Sequence, residues 1–308
     1  MKAGGIFRLN PNLLTFEHGF ITYQMALQPK NKKKGEYSML KDKKIGFIGG
    51  GNMAEALIKG LLAGGMPAKE LAVAEPAAGR REFLRERYGV NVFIDNNAVA
   101  ADCDVIILSV KPQVCSEALN GIKGSISPDK PVISILAGIT TAAIEAMLPG
   151  TPRVVRVMPN TPALVMEGAS AISKGAHATG DDIALARHIF ELVGKAWIVE
   201  EKLLDAVTGL SGSGPAYVLT FIEALSDAGV KNGLSRDIAT GLAAQTVFGT
   251  ARLLLETREH PAVLRDKVTS PGGTTIAGMH ALEKDRFRCA VINGVDAATA
   301  RSMELGKK

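Results

Sequence analysis

Lys44-Ile45-Gly46-Phe47-Ile48-Gly49-Gly50-Gly51-Asn52-Met53-Ala54-Glu55-Ala56 decides the fold. An apolar, β-rich run enters three glycines, and these open at once into residues that favour helix. The order is strand, tight turn, helix, and Gly49, Gly51 and Ala54 satisfy the spacing G-x-G-x-x-A. In a dinucleotide-binding βαβ unit the first glycine makes the turn and the second lets a pyrophosphate approach the backbone. The small third residue keeps the helix close to the strand. The free N–H groups of a helix starting at Asn52, Met53 and Ala54 then face the phosphates, at the positive end of the helix dipole.

An acidic residue downstream strengthens this reading. Leu71-Ala72-Val73-Ala74 reads as a second strand, and Glu75 stands at its carboxyl end, where an acid hydrogen-bonds an adenosine ribose. Glu75 accepts from a ribose 2′-hydroxyl and repels a 2′-phosphate, which favours NADH. Arg80 and Arg81 follow closely and are able to neutralise that phosphate, which favours NADPH. The residues alone leave the choice between the two nucleotides open.

Strand and helix patterns then alternate, which predicts a parallel sheet. Asn91–Phe93, Val105–Val110, Pro131–Leu136, Val154–Val157, Ala169–Ile172 and Ala196–Val199 read as strands. Helices are expected near 52–64, 77–88, 114–122, 141–147 and 181–193. Beyond about residue 202 the strands stop, and 203–230, 235–257, 261–268, 274–283 and 286–304 read as apolar helices. The expected fold is α/β: a Rossmann-type parallel sheet with helices on both faces over 39–202, then an all-helical substrate-binding and dimerisation domain over 203–308. Helices so apolar in so small a domain suggest burial against a second subunit, with a compact monomeric bundle as the alternative.

The 308 residues suffice for two domains, and 46% hydrophobic content excludes a mainly disordered chain. No unbroken apolar run reaches 18 residues, so no membrane span is expected. Cys103, Cys115 and Cys289 show no C-x-x-C spacing and read as reduced thiols of a cytoplasmic protein; the five histidines are scattered, and no metal site is expected. The net charge of +5 is misleading, because residues 1–38 hold six lysines and arginines against two glutamates. The nearly neutral remainder argues against nucleic acid as a partner. Residues 1–38 show no sustained periodicity and read as an extension, disordered or not native. Lys33-Lys34-Gly35-Glu36 can be encoded by a purine-rich ribosome-binding sequence a few codons before Met39, so translated leader is one origin for it.

Five motifs converge on one family. Gly49–Ala54, Val110-Lys111-Pro112, Met158-Pro159-Asn160-Thr161-Pro162, Ser211-Gly212-Ser213-Gly214-Pro215-Ala216-Tyr217 and Ser270-Pro271-Gly272-Gly273-Thr274-Thr275 occur in this order. From about Met39 to Met303 the chain resembles the pyrroline-5-carboxylate reductases, which make proline. The resemblance implies that Val110, Lys111 and Pro112 lie along the cofactor, NADPH or NADH, and that Asn96 touches it. It implies that Ser270, Gly272, Gly273 and Thr274 hold the ring carboxylate of 1-pyrroline-5-carboxylate, in an anion nest at a helix start. Thr275 corresponds to the family residue that hydrogen-bonds the ring nitrogen, the one catalytic assignment. Family members form homodimers through interlocked helices, often built into larger rings. Many prefer NADPH and carry a small polar residue near position 75, so Glu75 is a departure.

The implied chemistry is hydride transfer to a C=N carbon, which needs no strong nucleophile or metal. The prolines of Met158–Pro162 suit a stiff wall beside the nicotinamide, and His260 is expected to be structural. A β-hydroxyacid dehydrogenase is a rival that should place a lysine soon after Ser211–Tyr217, but none occurs before Lys231. A non-catalytic dinucleotide sensor is the rival from another class, and it gives the Ser270–Thr275 nest no purpose.

Overall fold

The computed structural model describes residues 39–306. Within residues 1–38, a unit of its own, it describes one short antiparallel pair, Phe16–Glu17 with Phe20–Ile21. The expectation for the rest of the extension lies outside the described residues.

The first half alternates as anticipated: β1 (Ile45–Ile48), α1 (Asn52–Ala63), β2 (Leu71–Ala74), α2 (Ala78–Tyr88), β3 (Asn91–Phe93), α3 (Asn96–Asp102), β4 (Val105–Leu108) and α4 (Cys115–Ile122). It continues through β5 (Val132–Ser134), α5 (Thr141–Met147), β6 (Val154–Met158), β7 (Gly168–Lys174), α6 (Gly180–Glu191) and β8 (Gly194–Ile198). The sheet order is β8-β7-β6-β5-β4-β1-β2-β3. Every residue of β1, β2 and β4 is buried, as continuous apolar strands require when helices cover both faces. Phe47, Leu57, Leu61, Ile189 and Phe190 fill one face, and Ile48, Ile106, Leu108, Leu119 and Ile144 fill the other. Burial pushes the Cys103 thiol up to about 12 and raises Cys115 as well, and all three cysteines are free.

Two features depart from the sequence reading. The junction of β6 with β7 is antiparallel, Val155 facing Lys174 and Met158 facing Ala171. Residues 159–167 connect these strands, too few for the helical crossover that parallel neighbours need. The second departure is α3, which replaces an expected loop. Asp95 caps it by accepting a hydrogen bond from the Asn97 N–H, so Asn96 is the first residue of a helix.

After β8 all regular elements are helical. α7 (Leu204–Val207) runs into a π-turn at Thr208–Gly212, followed by α8 (Gly214–Lys231), α9 (Arg236–Thr257), α10 (Pro261–Lys267), α11 (Thr274–Lys284) and α12 (Phe287–Leu305). The helix expected over 203–230 is thus interrupted at its glycines, and Pro215 sits in the first turn of α8. These helices bury little within the chain: Ser226 in α8, Ala239 and Ala243 in α9, Ser302 in α12. Leu242, Phe248, Leu255 and Ile292 are exposed.

Two polar networks brace the structure. Buried Arg156 on β6 pairs with Glu201 at 3.2 Å, and Glu201 also accepts from the Thr141 N–H and hydroxyl at 2.7 and 2.6 Å. This ties the first helical residues to the sheet. Between α1 and α2, Glu55 accepts from Arg80 at 2.6 Å and from the Tyr88 hydroxyl at 2.7 Å. Burial alone would raise the Glu55 carboxyl, but these two hydrogen bonds and the charges of Arg80 and Lys59 hold it below its ordinary value.

Replacing Glu201 by Ala should leave Arg156 buried without a counter-charge and cost roughly 3–5 kcal/mol in urea unfolding. A change below 1 kcal/mol, on the order of an exposed pair, would show the tie to be idle. A depressed carboxylate stabilises the fold above its unfolded pKa, and this contribution disappears as pH falls through the folded value. The stability lost in Glu55→Gln should therefore be largest near neutrality and shrink towards zero on acidification, a trend that urea titrations at several pH values would check.

Candidate active site

β1 lies where the topology reverses: the chain proceeds from it to β2 and β3 on one side and later adds β4 on the other. Ligands of open α/β sheets bind at the carboxyl ends of the strands beside such a point. The turn after β1 is tightly held. Gly49 has φ +100, and a Cβ there would lie 2.8 Å from the Ser109 carbonyl oxygen, so conformation and space both demand glycine. Its N–H donates to Ala74 O at 2.8 Å, and the Ser109 hydroxyl donates to Gly49 O at 2.7 Å. Gly51 is the opposite case, with nothing within 4 Å of where a Cβ would stand. It is the N-cap of α1 and offers no side-chain cap. The N–H groups of Asn52, Met53 and Ala54 therefore lack helical partners beside open space. That cradle fits a pyrophosphate.

The remaining predicted residues surround this turn unequally. Val110 touches it, its Cγ1 lying 3.0 Å from the position of a Cβ on Gly49. Lys111 is exposed and leads into a 3-10 turn beginning at Pro112. Glu75 binds the turn itself: one carboxylate oxygen accepts from Gly50 N and the other from Ala77 N, each at 2.9 Å. Arg80 donates to Gly50 O at 2.6 Å and Gly51 O at 3.3 Å, while Arg81 donates to Glu75 O and Pro76 O at 2.7 Å. Asn96 enters at the same sheet edge after β3, but its amide nitrogen lies beside α4, 3.7 Å from the position of a Cβ on Gly121.

A second set forms between α10 and α11. Gly272 adopts φ +66, and Gly273 is the extended N-cap of α11, again without a side-chain cap. A Cβ on Gly273 would stand 2.2 Å from Ser270 Oγ. Ser270 therefore occupies the space that a side chain would need, yet it does not cap the helix. The first N–H groups of α11 have no helical partners. The loop borders an open cavity of 650 Å³ that Arg265, His280 and Arg288 also line. Ser270 and Thr274 are exposed, and Thr275 is half-buried. His260 accepts from Ala262 N and caps α10, the structural role anticipated for it. Among the described residues no hydrogen bond or ion pair joins this loop to the sheet.

The Met158–Pro162 loop works through a residue the sequence reading passed over. Asn160 accepts from Ala169 N at 2.8 Å and donates to Ser211 O at 3.0 Å, so it fastens the β6–β7 turn to the π-turn. Ser109 and Arg80, the anchors of the glycine turn, were likewise missed as such. A hydroxyl one residue before Val110-Lys111-Pro112, at the end of a strand, was the available signal for Ser109.

Comparisons with known proteins agree along the chain. A family model described as pyrroline-5-carboxylate reductase dimerisation matches residues 201–305. Another, described as NADP oxidoreductase, coenzyme F420-dependent, matches residues 44–138. The pyrroline-5-carboxylate reductase of Synechocystis sp. is 51% identical over 86% of this chain and 98% of its own length. That of Arabidopsis thaliana is 48% identical over 86% and 96%. The solved pyrroline-5-carboxylate reductase from Coxiella burnetii superposes with a TM-score of 0.82 at 38% identity, covering 86% of this chain and 99% of that one. The Plasmodium falciparum structure with NADP bound gives 0.78 at 36% identity, over 86% and 98%. With 51% identity over 266 residues to a relative matched over 98% of that relative's length, the chain belongs to the pyrroline-5-carboxylate reductase family.

Proposed function

We propose that this chain reduces 1-pyrroline-5-carboxylate to proline with NADH or NADPH, over a nucleotide-binding domain of residues 39–202 and a helical domain of 203–308. The observation that carries the reading is the pair of uncapped, glycine-opened helix starts at Gly51 and Gly273, each suited to an anion. The names of the relatives and the two family models support it. When bound, the reduced nicotinamide supplies hydride to the C=N carbon.

The chain's own residues bind and orient. Gly49, Gly51 and the N–H groups of Asn52, Met53 and Ala54 hold the pyrophosphate, with Glu75 at the ribose and Val110, Lys111 and Pro112 along the nucleotide. Asn96 is retained as a contact on the family correspondence alone. Gly272, Gly273, Ser270 and Thr274 hold the substrate carboxylate, and the Thr275 hydroxyl orients the ring nitrogen, which carries a proton in the product. No metal enters the scheme.

A homodimer is part of the reading. The exposed apolar faces of α8, α9 and α12 need a cover, and the dimerisation model matches this region. α9 is long and apolar enough to cross a membrane by length and composition, but in this proposal a second copy covers it. In this reading pairing also brings the two anion-holding helix starts to one reaction centre, since among the described residues no hydrogen bond or ion pair links them within a protomer. The three unpaired cysteines fit a cytoplasmic setting.

Incubating the protein with the cyclic imine and reduced nucleotide should consume nucleotide and form proline; no turnover with either nucleotide refutes the assignment. Thr275→Val should lower kcat/KM by about 10–100-fold, as expected for a lost hydrogen bond to a reacting group, and Thr275→Ser should recover most of it. Phe248→Asp should yield monomers in light scattering and abolish turnover. Full activity in a monomer would rule out a shared site.

A further inference from the structure

We infer that this chain selects NADH over NADPH, and that the charge of Glu75 makes the selection. The inference rests on the glycine turn being the nucleotide site and goes beyond it by fixing which nucleotide the turn accepts. The structure supplies what the sequence left open, namely where the acid and the two competing arginines point.

Glu75 is fixed at both oxygens. Gly50 N–H donates to one and Ala77 N–H to the other, so the carboxylate has no rotation that removes its charge from the mouth of the turn. Each oxygen has two lone pairs, and the backbone takes one from each. Those left over suit the hydroxyl donors of an unmodified adenosine ribose. A 2′-phosphate brings oxygens that are acceptors and nearly two negative charges at neutral pH. It would set acceptor against acceptor and like charge against like charge within a few ångströms.

Of the two counter-charges that would relieve this clash, Arg80 is fully engaged and Arg81 is held through one nitrogen. Arg80 gives one guanidinium nitrogen to Gly50 O and another to Gly51 O and Glu55, and it lies 5.0 Å over the Phe83 ring. To reach a 2′-phosphate it would have to leave two carbonyls of the phosphate turn and a carboxylate that Tyr88 helps to hold. Arg81 is drawn to the carbonyls of Glu75 and Pro76. One arginine braces the turn from behind and the other braces the strand end.

Direct binding separates the possibilities, by fluorescence titration of NADH and NADPH into the intact protein, with steady-state kinetics alongside. The wild type should bind NADH at least ~10-fold more tightly than NADPH. Glu75→Gln removes the charge and one of the two acceptor oxygens, so it should weaken NADH and tighten NADPH, moving the ratio of the two affinities by ~10-fold or more towards NADPH. Arg80→Ala should weaken both nucleotides alike, because it loosens the turn. Tighter NADPH binding by the wild type, or an unchanged ratio in Glu75→Gln, overturns the inference while leaving the nucleotide site intact. A loss confined to NADPH in Arg80→Ala overturns it too, since Arg80 would then read the phosphate. If neither nucleotide binds, the site itself is misassigned and the inference falls with it.

Discussion

The close approach of Gly49 to the Ser109 carbonyl is the constraint on which the rest depends. At that separation no side chain is tolerated between β1 and the segment after β4, so the turn is pressed against its neighbour strand and α1 starts in one place only. The Ser109 hydroxyl and Ala74 carbonyl pin the turn from two sides. Glu75 and Arg80 then grip its middle residue, one through Gly50 N and the other through Gly50 O. A helix start without a cap costs stability in an ordinary protein. Here the open start is held in place by hydrogen bonds to Gly49 and Gly50, an arrangement that suits the proposed anion binding.

The helical half shows the complementary economy. Its longest members bury almost nothing within their own chain, so their stability is not a property of the monomer. The links that orient them are few and polar: Arg156 with Glu201, Asn160 with Ser211, Asp205 with Ser302. Such links specify direction without supplying much energy, and the burial that does supply it is left to association.

Much of this was legible in the order of residues, and the exceptions have physical causes. All eight main strands fall on the predicted runs: burial on both faces gives β1, β2 and β4 an unmistakable composition, and the more exposed edge strands β3 and β8 were marked by their β-branched and aromatic residues. The Gly49–Ala54 turn and the Gly272-Gly273 helix start were legible because Gly49 and Gly272 adopt positive φ, a conformation that favours glycine. Strand direction was not, since the alternation of side chains is the same either way; it was written instead in the brevity of residues 159–167. α3 escaped because Asn96–Asp102 carries one large apolar residue, Val99, too few for a periodicity, although Asp95 marked its start. The direction of Arg80 was beyond reach, because a long cationic side chain goes where its partner is, and Glu55 and the Gly50 carbonyl meet it only in the folded chain.

The reversal at β7 places a ruler in the molecule. β6 ends at the ligand edge of the sheet, and β7 begins there, so the chain turns through Asn160 and returns twice before α7 brings Ser211 back to the same asparagine. β7 itself is held in register by its pairing with β6 and β8, so a residue added to the 159–167 turn would be taken up within the turn. There it would disturb the Asn160 hydrogen bond to Ser211, one of the ties between the sheet and the later helices. The length of this short connection therefore helps to fix where Ser211 and the helices that follow it leave the sheet.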